Sequence, residues 1–159
     1  MPLMRCVSIV EVVTLQMIRT YSELIKMESF MDRYRYLRLG GKVGEETFGF
    51  DRYLNQRFYK SDEWLRVRDY VILRDTGNHQ YCQDLGAEGH DIRGRILVHH
   101  MNPISMDDIV RKTKFLLDPE YLICTVKNTH DAIHYGDESM LLANVPIERS
   151  RNDTCPWRK

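Results

Sequence analysis

Apolar residues recur at helical spacing in the first half of the chain and gather into short unbroken runs in the second. After Thr20 and Ser22, which suit a helix start, Leu24, Ile25, Met27 and Phe30 fall at helix-compatible positions. A second helical stretch over 31–39 stops at Gly40-Gly41, as a C-terminal glycine signal should. Gly44 and Gly49 flank a loop. Ser61 is a good N-cap, and Asp62 and Glu63 suit the positive end of the helix dipole. Trp64, Val67 and Val71, joined by Leu65 and Ile72, then form an apolar stripe that ends at Asp75-Thr76-Gly77-Asn78. Arg66, Arg68 and Arg74 lie along the same helix and read as its solvated basic face.

Beyond this helix the period shortens. Gly86, Gly89 and Gly94 punctuate a region that predicts a hairpin with 95–100 as its second strand. Pro103 biases Asn102 away from helix. Residues 106–116 read as a short helix, Asp118-Pro119-Glu120 as a turn, 121–124 as a short strand and 128–135 as a helix closed by Gly136. The order strand, strand, helix predicts an α+β fold built on a ββα unit. Residues 1–16, rich in Val and Ile and without a cap, read as an N-terminal extension, with Met17 as an alternative start. Residues 17–60 then form a helical region packed on a core of 61–159, which ends in a tail, all within one domain.

The 159 residues suffice for one compact domain, and 43% hydrophobic with 29% charged residues fits a soluble one. Formal net charge is zero, so no global basic field advertises nucleic acid. The charge is uneven, however. Residues 30–74 hold ten Lys/Arg against seven Asp/Glu, and 75–147 hold six against eleven, which assigns polyanion contacts to the earlier arginines and the tail. Cys6, Cys82, Cys124 and Cys155 form no C-x-x-C pair, so no structural zinc is expected and reduced thiols are the simplest reading. The apolar stretch 7–18 is interrupted by Glu11 and Gln16 and is too short for a bilayer span. The expected location is cytoplasmic, with no membrane partner.

Four of the six histidines lie in two pairs, His99-His100 and His130-x-x-x-His134. Adjacent side chains on a strand face opposite ways, whereas an i, i+4 pair shares one helix face. His99, His130 and His134 therefore form a candidate metal set with open positions for water and a phosphate oxygen, and His100 is left as a candidate base. Imidazole ligands favour Zn²⁺ or Ni²⁺ over Mg²⁺, although a phosphate would supply oxygen ligands of its own. Either pair alone is a weak signal, and His130 is followed by Asp131 rather than by the Glu of a zinc-protease motif. His79 and His90 fall in loop-like sequence and read as ordinary exposed residues.

The segments LVHHMNPI (97–104), LDPEYLI (117–123) and NTHDAIHYG (128–136) resemble the HNH endonucleases, specifically a tailed-bacteriophage branch. Similarity to that branch extends over 38–58, 64–75 and the closing NDTCPW (152–157), from about residue 17 onward. The resemblance implies a ββα-metal finger and metal-dependent DNA cleavage to a 5′-phosphate and a 3′-hydroxyl. It implies His100 as general base and His99, His130 and His134 as ligands of one divalent ion, whether Mg, Mn, Ni or Zn. DNA is the implied partner, with a phage terminase as a further one, and host cytoplasm is the implied location. Tyr121 stands near where the motif carries its middle Asn, and Asn102 and Asn128 are the candidate substitutes. The C-x-x-C pairs of many HNH proteins are missing, which leaves packing by the N-terminal helices and the Trp157 tail to hold the scaffold. The alternative is a catalytically impaired HNH-fold protein that only docks DNA or a terminase subunit.

Overall fold

The computed structural model describes residues 17–39, 52–86 and 90–142. Residues 1–16, the Gly40-Gly41 stop, the 44–49 loop and the Trp157 tail lie outside the described residues. The described residues fold as an α+β structure of short helices and two small antiparallel sheets. In order these are α1 (Tyr21–Leu24), α2 (Phe30–Leu37), α3 (Arg52–Tyr59), α4 (Asp62–Thr76), β1 (Gln83–Asp84), β2 (His90–Asp91), β3 (Leu97–His100), α5 (Met106–Arg111), α6 (Lys114–Leu117), a 3-10 turn (Pro119–Tyr121), β4 (Leu122–Thr125), α7 (Lys127–Tyr135) and α8 (Ser139–Leu142).

The β3–β4 pair is the centre of the molecule. Leu97 pairs with Thr125, Val98 with Cys124, His99 with Ile123 and His100 with Leu122. Strand alternation sends these pairs to opposite faces. Ile123 packs with Leu24, Tyr34, Leu37, Met101, Ala132 and Ile133, so α1, α2 and α7 cover one face. Leu122 and Cys124 pack with Trp64, Val71, Cys82 and Ile92, so α4 covers the other. With both faces covered, all four residues of β4 are buried, which explains the apolar run Leu122-Ile123-Cys124.

Helix α4 matches its sequence signals. The Ser61 hydroxyl accepts from the Trp64 N–H at 3.3 Å, and Gly77 caps the C-terminus at φ 52°. Arg74 departs from the basic-face reading. Its Nε donates to Asp75 at 2.7 Å, its two terminal nitrogens donate to the carbonyls of Pro119 and Leu122 at 2.7 Å, and the guanidinium lies 3.6 Å from the Tyr21 ring centroid. Asp75 in turn accepts from the buried Cys124 N–H at 2.7 Å. The last turn of α4 is thus a polar rivet onto the 3-10 turn and the start of β4, whose carbonyls a long multi-donor side chain reaches together.

The hairpin expectation needs correcting. The hairpin closes on itself as β1–β2, and β3 instead pairs with β4. The apolar pattern of β3 is satisfied only beside a strand buried on both faces, and the exposed pair His90-Asp91 offers no such neighbour. The single helix expected over 106–116 is two. Lys112, with a left-handed φ of 51°, separates α5 from α6. Helix α3 falls in the segment 17–60 expected to be helical and is a separate element within it.

Candidate metal centre

His99 and His100 diverge as strand geometry requires. The His99 ring lies 5.1 Å from that of His130 and 4.9 Å from that of His134, across the face that α7 covers. The His100 ring stacks on Trp64 at 5.1 Å and 20°, on the α4 side. On α7, the i, i+4 spacing brings His130 Nε2 and His134 Nε2 to 3.1 Å, where one shared proton can satisfy the pair. One ligand nitrogen from each of His99, His130 and His134 lies within 4.8 Å of the others. The structure therefore brings three of the four paired histidines together and sets His100 apart.

The donor set fits a cation. His99 Nε2 is buried without a hydrogen-bond partner, an expensive arrangement for an atom that nothing coordinates. Burial holds the His99 imidazole well below its ordinary pKa, and the neighbouring His134, His130 and His100 add to the effect. Burial and His130 likewise lower His134 to about 4. Both rings are therefore neutral at physiological pH, the state in which imidazole ligates. The Nδ1–H of His130 donates to Asp131 Oδ1 at 3.3 Å, and Asp131 also pairs with Lys127. That contact leaves the Nε2 lone pair of His130 facing the cluster, the arrangement in which an outer carboxylate fixes a ligand's tautomer. In sequence, Asp131 marks the absence of the protease Glu; its position directly after His130 is the signal for this contact.

His100 is held differently. Its Nε2 lies 3.1 Å from the Leu116 carbonyl, which can only accept, so Nε2 carries the proton and Nδ1 keeps the lone pair. Burial pulls its pKa down to about 4, while the Leu116 carbonyl and Asp108 pull the other way. Phe58 and Tyr59 of α3 complete an aromatic wall, with ring centroids 6.4 and 6.3 Å from that of His100. Neither the wall nor the carbonyl is readable as function in sequence, because one looks like core and the other is backbone.

The remaining candidates take other places. Asn102 is buried and clasps one backbone residue from both sides. Its Oδ1 accepts from the Arg19 N–H at 2.8 Å, and its Nδ2 donates to the Arg19 carbonyl at 2.9 Å. The Arg19 side chain donates to the carbonyls of Tyr36 and Arg38, so this clasp ties the loop after His100 to the end of α2. Tyr121 is buried against Phe115, and its carbonyl accepts from the Met101 N–H at 3.0 Å. Asn128 lies in the first turn of α7, outside the three-histidine cluster. His79 and His90 are exposed. Among the described residues, no helix is long and apolar enough to cross a membrane. The chain matches no protein-family model, no curated protein and no solved structure.

Proposed function

We propose that the protein is a metal-dependent DNA endonuclease of the HNH type, built on a ββα-metal finger formed by β3, β4 and α7. The observation that carries this reading is the division of labour across one strand. Three imidazole nitrogens gather on one face of β3, and a neutral, tautomer-fixed imidazole lies one residue along on the other. His99, His130 and His134 would hold a single divalent ion. When bound, such an ion supplies Lewis-acid stabilisation of charge on the phosphoryl group and on the leaving oxygen.

The residues supply the rest. His100 Nδ1 takes a proton from water as the water oxygen bonds to phosphorus. The P–O3′ bond breaks, and the 3′ oxygen leaves with a proton from solvent, giving a 5′-phosphate and a 3′-hydroxyl. A base near pKa 4 is a weak one, but the negative charge of an incoming phosphodiester favours the imidazolium and raises that value. The Leu116 carbonyl keeps the acceptor nitrogen free, and Trp64 fixes the ring plane. A role beside a phage terminase in genome packaging belongs to the same proposal and rests on the resemblance alone.

The second reading, a metal-stabilised DNA- or terminase-docking protein with impaired catalysis, draws support from Tyr121, whose buried ring brings no amide to the site. Nicking of supercoiled plasmid in EDTA, then with Mg²⁺, Mn²⁺, Ni²⁺ or Zn²⁺, separates the two. Metal-restored nicking that His100→Ala abolishes, with metal binding intact by calorimetry, is the expected result. Undiminished nicking by His100→Ala would remove His100 as the base. Binding of these ions without nicking favours the docking protein, and failure of the wild-type protein to bind any of them refutes the shared site.

A further inference from the structure

A strand of DNA needs more than the atoms that cut it, and the zero net charge hides where its backbone would lie. Among the described residues, an open depression of about 430 Å³ between the last turn of α3 and the start of α4 is lined by Gln56, Arg57, Lys60 and Ser61. Among the described residues, neither Arg57 nor Lys60 is engaged in an ion pair or hydrogen bond. Of the two acidic residues at the start of α4, Glu63 is paired with Lys112 at 2.7 Å and Asp62 is exposed. Tyr59, next to Lys60 at the end of α3 and outside that lining, is 46% exposed although its ring contacts Trp64 edge-on at 5.2 Å. The same ring lies 6.3 Å from that of His100.

We infer that Arg57, Tyr59 and Lys60 form a docking surface for the DNA strand that enters the histidine site. This rests on the nuclease reading and adds to it the surface that receives the substrate. The cations fit backbone phosphates, and the exposed aromatic beside Lys60 fits the face of a base that has left its stack. The short connection 59–61 links this surface to Trp64, so a strand held here lies beside His100. The chemistry favours single-stranded or locally unpaired DNA, since an intact duplex presents no base face to Tyr59. No side chain here shows a base-reading pattern, so contact is sequence-tolerant.

Fluorescence anisotropy with labelled single-stranded and duplex DNA tests the inference, using the full chain in EDTA so that nothing is cut. Wild-type protein should prefer the single strand. The paired substitution Arg57→Gln with Lys60→Gln, both at exposed positions, should flatten the slope of log affinity against log salt by roughly 1.4, at about 0.7 per single-strand phosphate contact. Tyr59→Ala should weaken single-strand binding by about tenfold and duplex binding far less, while Tyr59→Phe stays within about twofold of wild type. An unchanged salt slope in the double variant overturns the surface even if wild-type protein nicks plasmid. Equal or tighter binding to RNA of the same sequence overturns the assignment to DNA. Wild-type protein that binds no nucleic acid at low salt and nicks nothing with any metal removes the nuclease reading itself.

Discussion

Acid should weaken the metal-free fold through the histidines, and His100 gives the clearest measure. Its folded pKa, about 4, lies below the ordinary 6.5 because burial penalises the imidazolium. Between those values the unfolded chain holds a proton that the folded chain refuses. The stabilisation is therefore complete above pH 6.5 and is lost as pH falls toward about 4. At 1.36 kcal/mol per pKa unit the whole span is worth about 3 kcal/mol, of which about 2 is gone by pH 5. His134 is displaced in the same direction, but partial exposure screens it, so it adds roughly 1 kcal/mol over the same interval. His99 moves the same way. A loss of at least about 3 kcal/mol by pH 5 is large against a total of roughly 5–15 kcal/mol. Urea unfolding in EDTA at pH 7.5 and pH 5.0 reads it as a midpoint shift of about 1–3 M. His100→Gln cannot take up that proton, so its pH-dependent loss should be smaller than wild type's by about 2 kcal/mol, whatever the variant's stability at pH 7.5. Equal losses in wild type and variant would refute the account of His100 as a neutral buried imidazole.

Two further outcomes test the surroundings of the site. Asp131→Asn should weaken metal binding about tenfold by calorimetry with little change in unfolding midpoint, because the carboxylate that orients His130 is lost while the ligand stays; unchanged affinity would show that the contact does not tune the ligand. Asn102→Ala removes both bonds to Arg19 and should cost roughly 2–3 kcal/mol of stability in urea unfolding, and a loss below about 0.5 kcal/mol would mean the clasp is dispensable.

What the sequence revealed follows physical range. Helix α4 was readable because its cap, its apolar stripe and its terminating glycine are all local. Helix α7 was readable for similar reasons, with Gly136 at φ 67° closing it. The separation of His99 from His100 followed from strand alternation once β3 was a strand. The partner of β3 was not readable, because hairpin proximity competes with burial and only the folded core decides between them. Arg74 misled for the same reason: a cation on a helix looks solvated until the carbonyls of Pro119 and Leu122 arrive from about 45 residues away. Asn102 had a visible amide, but nothing local announces that its partner is Arg19, 83 positions earlier. The left-handed turn at Lys112 carries no glycine to mark it.

The adjacency of His99 and His100 also sets how the site tolerates insertion or deletion. The two side chains share a peptide bond and serve opposite faces of β3. A one-residue slip of this strand against β4 would turn each side chain to the other face. Slipped one way, His100 would join the α7 histidines and Met101 would meet Trp64, giving a protein that still gathers three imidazoles but has lost its proposed base. Slipped the other way, His99 would stack on Trp64 and Val98 would face α7, leaving an imidazole in the place of the proposed base and a cluster one histidine short. A single-residue insertion or deletion between Gly94 and Leu97 that shifted this register would thus act as a selector: each direction of slip discards one half of the proposed chemistry and keeps the other.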